Sequence, residues 1–136
     1  MTLSNAIYPL AEHATDQLHA ISGRSLGTIT QEAAAAGELE IADLQISAET
    51  LRAQARIARQ AGYTQLAANL TRAAELTAVP NAEILRMYET LRPGRASYDE
   101  LIALADRLEH AYRAPESAAL VREAAEAYRA RGLLRR

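Results

Sequence analysis

Residues 97–132, SYDELIALADRLEHAYRAPESAALVREAAEAYRARG, carry start and stop signals for two consecutive helices. Ser97 followed by Glu100 forms a capping box, in which each side chain accepts a hydrogen bond from the other residue's backbone N–H. Pro115 suits the first turn of a second helix, and Gly132 permits a left-handed stop. The apolar residues recur at helical spacing at Leu101, Ala105, Leu108 and Tyr112, then at Leu120, Val121, Ala124, Ala125 and Tyr128. The stretch therefore predicts two amphipathic helices.

Three further helices are predicted upstream of this stretch. Ser47 can cap a helix that stops at Gly62, Thr64 can cap a second that ends by Pro80, and Asn81 can cap a third. The apolar positions of these helices are Leu51, Ala55, Ala58 and Ala61; Leu66, Leu70, Ala73, Ala74 and Thr77; and Ile84, Leu85, Tyr88 and Leu91. The tyrosines of the helices, Tyr88, Tyr112 and Tyr128, are interpreted as core residues. No stretch alternates in the manner of a strand, so we expect an all-α fold, a compact bundle of about five helices.

The first 46 residues form a different kind of segment. Glycines break it into short pieces, and one brief helix is expected around residues 30–36, with Thr28 or Thr30 as its cap. Its apolar residues, Ile7, Tyr8, Leu10, Leu18, Ile21, Leu26 and Ile29, have no helical period but are too apolar for a solvated linker. We therefore expect residues 1–46 to be an arm that packs on a surface, a partner's in preference to the chain's own, and residues 47–136 to be the helical domain.

The composition excludes several classes of chemistry. The chain has no Cys, and its 15 basic side chains are all Arg, so thiol nucleophiles, zinc ribbons, Schiff bases and the P-loop lysine are excluded. Phe and Trp are also absent, which predicts a thin core of closely packed helices. No long apolar run or secretory leader is present in the sequence, so a soluble intracellular protein is expected.

The charge is unevenly distributed along the chain. Residues 1–46 hold one Arg against six acidic residues, a balance of −5, and the rest holds fourteen against eleven, a balance of +3, which together give the net charge of −2. Arginines and acids alternate in the helices, and no basic stripe with interleaved aromatics is present. This pattern disfavours a nucleic-acid partner, and the arginine-rich tail is interpreted as favourable charge at a helix C-terminus.

No catalytic, cofactor-binding or metal site is predicted on this chain. The two groups of potential metal ligands are His13, Asp16 and His19, and Asp106, Glu109 and His110. The first group has no fourth ligand nearby, and the second has no matching acid-x-x-His among the later helices, so it is interpreted as a solvated helix face. The Gly-rich run at residues 23–27 follows no strand and precedes no Lys, and is therefore not a phosphate-binding loop.

Several longer motifs resemble the small (γ) subunit of adenosylcobalamin-dependent diol and glycerol dehydratases. They are ISAETLRAQARIA at 46–58, LAANLTRAAELTAVP at 66–80, ILRMY at 84–88, LRP at 91–93, ELIALAD at 100–106, VREAAE at 121–126, and, in the arm, YPLA at 8–11 and GRSL at 23–26. The resemblance covers almost the whole chain in order. Ala48 and Gly94 depart from the Pro and the aromatic residue that are usual in the family at these positions.

The resemblance implies a non-catalytic subunit of a hydro-lyase that converts 1,2-propanediol or glycerol to an aldehyde and water by radical chemistry. The holoenzyme it implies is an (αβγ)₂ assembly. The large subunit would hold the substrate and a monovalent or divalent cation, and adenosylcobalamin would lie between the large and medium subunits. A cytoplasmic location is expected, and enclosure in a bacterial microcompartment would depend on another subunit.

The resemblance also suggests which residues contact the large subunit. They are Tyr8, Pro9, Leu10, Arg24 and Leu26 in the arm, with Arg92 and Arg95 at the turn after the third helix. Arginine suits such interfaces because its planar fork pairs bidentately with carboxylates. A free-standing helical adaptor or regulatory protein on the same scaffold is the alternative, and an Arg-rich RNA-associated protein is a weaker third reading.

Overall fold

Every regular element that the structure describes is helical. The structure is a computed structural model that describes Leu3 and residues 7–136. Seven α-helices are present in that part of the chain: α1 (Leu10–His13), α2 (Gln31–Ala35), α3 (Ala48–Gln60), α4 (Thr64–Leu76), α5 (Asn81–Thr90), α6 (Tyr98–His110) and α7 (Pro115–Arg131). Three 3-10 turns, Thr15–Gln17, Leu26–Thr28 and Ile41–Leu44, complete the list. The predicted all-α fold is confirmed, and α3 to α7 are the five helices that the sequence pattern predicts.

The chain divides into two compact units, unit 1 (Met1–Ala74) and unit 2 (Glu75–Arg136). This division differs from the predicted boundary at residue 46, because the arm shares a unit with α3 and most of α4. Residues 1, 2 and 4–6 of the predicted arm lie outside the described residues.

Helix α3 contributes Ala53 and Ile57 to the apolar cluster of unit 1. The Ser47 hydroxyl accepts a hydrogen bond from the Thr50 N–H at 3.2 Å and so caps the helix as predicted. Its buried face is mostly alanine, which leaves space for another segment to approach closely. Gly62 follows the end of the helix with a φ of 87°, a left-handed conformation that glycine adopts without steric cost.

The arm fills that space in part. The apolar cluster of unit 1 consists of Leu3, Leu10, Ala14, Leu18 and Ala53, with Leu26 and Ile57 packed against it. Arg56 of α3 also donates a hydrogen bond from Nη2 to the Leu3 carbonyl at 3.1 Å. The short helix expected around residues 30–36 is present as α2, with Thr30 accepting a hydrogen bond from the Ala33 N–H. The arm is thus anchored on its own chain, and an additional contact with a partner stays a prediction.

Helices α6 and α7 carry most of the core of unit 2. That core consists of Val79, Met87, Ala96, Leu101, Leu104, Ala105, Leu108, Ala114, Ala118, Val121 and Ala125. The capping box of α6, Pro115 at the first turn of α7 and Gly132 at its C-cap with a φ of 68° all lie where the sequence predicts them. Thr64 and Asn81, predicted as caps, are instead the first residues of α4 and α5.

Four large apolar side chains on the predicted apolar faces of the helices are exposed: Leu66, Leu85, Tyr88 and Leu120. Tyr112 and Tyr128 pack against the core as predicted, but Tyr88 is 66% exposed, so the prediction is wrong for that residue. On α5, core contacts are made by Ile84, Met87 and Leu91, which are spaced by three and four residues. Leu85 and Tyr88, three residues apart, share a neighbouring face turned to solvent. On α7 the expectation is wrong for Leu120, which is exposed, and confirmed for Val121, which is buried.

Candidate functional site

The predicted contact residues of the arm fall into two groups. Tyr8 is 66% exposed, and Pro9, which follows it across a cis peptide bond, is half-buried. Leu10 is 4% exposed, and Leu26 packs against the same apolar cluster. Tyr8 is therefore accessible to a partner, whereas Leu10 and Leu26 face the interior of unit 1 and hold the arm in place.

Arg24 ties two parts of the arm together. Its Nη1 donates a hydrogen bond to the Glu38 carbonyl at 2.9 Å and lies 3.6 Å from the Asp43 carboxylate. Its Nη2 lies 3.7 Å from the Glu38 carboxylate. The buried Nε has no hydrogen-bond partner among the described residues. The side chain thus already has internal partners, and its predicted contact with the large subunit stays a prediction.

Asp43 is the centre of this polar network. Oδ1 accepts a hydrogen bond from the Ser22 hydroxyl at 2.6 Å, and Oδ2 accepts one from the Glu40 N–H at 2.8 Å. The Glu40 N–H bond, then the Ser22 bond and the charge of Arg24, hold the pKa of the Asp43 carboxyl below its ordinary value of 3.8, against the opposing effect of burial. Because these bonds favour the ionised form, Asp43 stabilises the 3-10 turn Ile41–Leu44 as a carboxylate.

The Asp43→Asn variant should therefore be less stable than the wild-type chain by an amount that depends on pH. A carboxyl with a lowered folded-state pKa stabilises the fold above its unfolded-state pKa, and this contribution is lost as the pH falls through the folded-state value. The difference in Tm between wild type and Asp43→Asn should be widest near pH 7 and narrow below about pH 4. Circular dichroism melts from pH 7 to pH 2.5 measure it. The control is Asp16→Asn, which changes an exposed aspartate. A difference in Tm between wild type and Asp43→Asn that stays constant with pH would contradict the prediction.

The 3-10 turn Ile41–Leu44 and two residues outside it form an exposed apolar surface that we call the arm patch: Ile21, Ile41, Leu44 and Ile46. Ile41 is 78% exposed and Leu44 is 69% exposed, and residues three apart in a 3-10 helix lie on the same side. The Ile21 N–H donates to the Gln45 carbonyl at 2.9 Å, which brings Ile21 beside this turn. Beneath lies an apolar groove of about 210 Å³, lined by Leu18, His19, Ala20, Leu26, Ile29, Asp43, Leu44, Gln45, Ile46 and Thr50. Adjacent exposed apolar side chains of this kind mark an interaction surface.

Unit 2 has exposed residues on the outer face of α5. Leu85 and Tyr88 are exposed there, and Arg92, in the turn that follows the helix, is exposed as well. The Glu89 carboxylate lies 3.1 Å from Arg92 Nη1 and 3.5 Å from Arg95 Nε. Both predicted contact arginines are therefore exposed and share one carboxylate.

Unit 2 also contains a cavity, which we call the arginine cleft, with a volume of about 400 Å³. Its lining residues are Thr90, Arg95, Ala96, Glu100, Ala103, Leu104, Arg107 and Arg135. The C-terminal tail completes it, because the Arg135 N–H donates to the Ala96 carbonyl at 2.8 Å and the Gly94 N–H donates to the Leu133 carbonyl at 2.7 Å. Sequence reasoning missed Arg107 and Arg135, since only the folding of the tail onto the α5–α6 turn brings these side chains together.

Neither of the two groups of potential metal ligands in the sequence forms a metal-binding cluster among the described residues. No cluster of three or more His, Cys, Asp or Glu that could hold a metal is found in Leu3 and residues 7–136. Asp106 and Glu109 both accept hydrogen bonds from Arg122 of α7, which raise the pKa of that guanidinium further. The acidic side chains on the predicted solvated face of α6 therefore form ion pairs with α7. His13, Asp16 and His19 are all exposed.

The helices of the described residues include none with the length and apolar character that crossing a bilayer requires.

Comparisons with known proteins agree with the motifs. The family described as dehydratase small subunit matches residues 3–135. Two proteins named propanediol dehydratase small subunit, from Citrobacter freundii and Salmonella typhimurium LT2, are each 46% identical to the chain over 121 residues. The match covers 89% of this chain and 70% of each relative. The resemblance found in the sequence is confirmed, and the chain belongs to the dehydratase small-subunit family.

Proposed function

We propose that this chain is the small, non-catalytic subunit of an adenosylcobalamin-dependent propanediol dehydratase. Such an enzyme converts 1,2-propanediol or glycerol to an aldehyde with loss of one water, by radical chemistry. The small subunit packs on and stabilises the large catalytic subunit in an (αβγ)₂ assembly in the cytoplasm. The family and the names of the two relatives support the enzyme and the subunit type.

The arm patch is the observation that carries the packing role. The four large apolar side chains of the arm patch are exposed. The ion pair between Arg24 and Asp43 helps to fix the 3-10 turn that carries two of them. Covering exposed Leu and Ile side chains lowers the free energy by about 25 cal/mol per Å² of apolar surface removed from water. When a larger subunit covers the arm patch, this burial contributes favourably to the free energy of binding.

The carboxylates of the chain support a non-catalytic role. A general acid or base must be able to reach a substrate proton, and several carboxylates here are engaged by neighbours. Asp43 binds Ser22, Asp106 binds Arg122, and Glu75 accepts hydrogen bonds at the start of α7. These three carboxylates make structural contacts, and we assign the proton transfers and the radical steps to the larger subunits.

Neither the groove beside the arm patch nor the arginine cleft fits adenosylcobalamin. The groove beside His19 holds about 210 Å³, below the range of about 300–1,000 Å³ that drug-sized ligands occupy, and a corrinoid is larger still. The arginine cleft is lined by three guanidinium groups and contains no histidine. We therefore assign the cofactor, and the cation of the active site, to the larger subunits.

The double variant Ile41→Asp/Leu44→Asp should lose its place in the assembly while keeping its fold. Both side chains are exposed, so the charges cost little within the chain, but an interface that covers them would have to bury two carboxylates. The wild-type and variant chains are expressed with the large and medium subunits of the same dehydratase, and recovery of the complex and its activity with 1,2-propanediol are measured. We expect recovery to fall by about 10-fold or more, as for hot-spot residues.

Gln60→Asp/Gln65→Asp is the matched control, because it adds the same charge at two exposed polar positions of unit 1. Full recovery of the arm-patch variant would contradict the packing role. A wild-type chain that ignores the larger subunits altogether would instead favour the free-standing adaptor. Deletion of residues 1–28 is a weaker test, because it also removes Leu10 and Leu18 from the core of unit 1.

A further inference from the structure

The arginine cleft has unused hydrogen-bonding capacity. Arg107 Nη2 lies 3.0 Å from the Glu83 carboxylate, Arg135 Nη2 lies 2.9 Å from Glu100, and Arg95 Nε lies 3.5 Å from Glu89. A guanidinium carries five N–H donors, and each of these contacts occupies a single nitrogen. All three side chains are about half exposed, so their remaining donors face the cleft and solvent.

Positive charge exceeds negative charge around the cleft. Glu83 is shared by Arg86 and Arg107, Glu89 by Arg92 and Arg95, and Glu100 is paired with Arg135. Among the residues that line the cleft, three arginines stand against one glutamate, an excess of two positive charges. An opposite charge of about two units would complete the pairing.

The cleft is pre-organised and has an apolar floor. Ala96 and Leu104 are buried at its base. Glu100 accepts a hydrogen bond from the Ser97 N–H through Oε2 and one from Arg135 through Oε1. These two bonds also lower the pKa of Glu100, so that it remains a carboxylate and holds Arg135 in position. A site with fixed charged groups binds a partner with less loss of conformational entropy.

We propose that the arginine cleft is a docking site for an acidic segment of a larger dehydratase subunit. Carboxylates of that segment pair with Arg95, Arg107 and Arg135, and an apolar side chain beside them lies on Leu104. The inference rests on the proposed function and adds to it a second contact surface, separate in sequence from the arm patch. Charge complementarity supports this occupant, because guanidinium groups with free donors pair bidentately with carboxylates.

The test uses the full chain and the complex of the larger subunits. Binding of the wild type and of Arg95→Gln/Arg107→Gln is measured by surface plasmon resonance between 50 and 500 mM NaCl, a range that screens surface charges progressively. We expect the Kd of the variant to be raised by about 10-fold or more near 150 mM salt, with a shallower salt dependence. Arg52→Gln/Arg59→Gln removes the same charge from exposed positions of α3 and should bind within about 2-fold of wild type.

Three results would overturn the inference. Equal Kd values and salt dependences for the wild type and Arg95→Gln/Arg107→Gln would show that the cleft does not contact the larger subunits, while leaving the proposed function intact. Saturable binding of inorganic phosphate that Arg95→Gln/Arg107→Gln abolishes, with unchanged subunit affinity, would identify the occupant as a soluble anion. Failure of the wild-type chain to bind at all would contradict the proposed function together with the inference.

Discussion

The Leu101→Ala variant should lose about 3–4 kcal/mol of the free energy of unfolding. Leu101 lies in the first turn of α6, has no exposed surface, and is the largest fully buried side chain among the described residues. Its removal forfeits the transfer free energy of three carbon atoms and leaves a cavity in a core in which five of the eleven buried residues are alanine. The alanines of this core have side chains too short to extend into the space. Urea unfolding of the full chain, followed by circular dichroism, measures the loss.

Leu85→Ala is the matched control for this prediction. Leu85 lies on α5 in the same unit but is 70% exposed, so its truncation should change the free energy of unfolding by less than about 0.5 kcal/mol. A loss for Leu101→Ala no greater than that of the control would show that the core of unit 2 rearranges to fill the cavity.

The Glu75→Ala variant should lose about 3 kcal/mol through a different mechanism. Glu75 is 7% exposed, and its carboxylate accepts hydrogen bonds from the Glu116 N–H at 3.0 Å, the Ser117 N–H at 2.8 Å and the Ser117 hydroxyl at 2.7 Å. The N-cap residue of α7, Ala114, has no side chain that could accept these bonds. Glu75 therefore caps α7 from α4, and its charge also complements the helix dipole. Truncation leaves buried donors unsatisfied, and the expected loss follows from that cost.

Two further variants separate the parts of this contact. Glu75→Gln keeps one carbonyl acceptor without the charge and should lose about half as much as Glu75→Ala. Ser117→Ala removes only the hydroxyl and should lose about 1 kcal/mol. The measurement is again urea unfolding of the full chain. Equal stability of Glu75→Ala and the wild type would mean that α7 is held by its apolar face alone.

The two units expose surfaces of different chemical character. The arm patch of unit 1 is apolar and lies in the acidic part of the chain, whereas the arginine cleft of unit 2 is polar and carries excess positive charge. An apolar surface contributes binding free energy, and a charged cleft contributes orientation and association rate. A subunit that contacts its partner through both is fixed in one orientation.

The local signals of the sequence determined the helices and the family. The cap at Ser47, the capping box at Ser97, Pro115 and Gly132 act over three or four residues, so their effect is independent of the rest of the chain. The long motifs, such as residues 66–80, identified the dehydratase small-subunit family, and the family match covers residues 3–135.

Tertiary structure alone decided which surfaces are free and which polar groups meet. Leu85 and Tyr88 have the same helical spacing as core residues, and only the packing of α5 turns their face to solvent. Glu75 meets Ser117 across 42 residues, and Arg135 meets Glu100 across 35. Contacts of this range leave no periodic trace in a single sequence, because they depend on where each helix ends and how the connecting chain returns. Local start and stop signals and helical spacing specified the helices separately, and the folded chain brought their ends together.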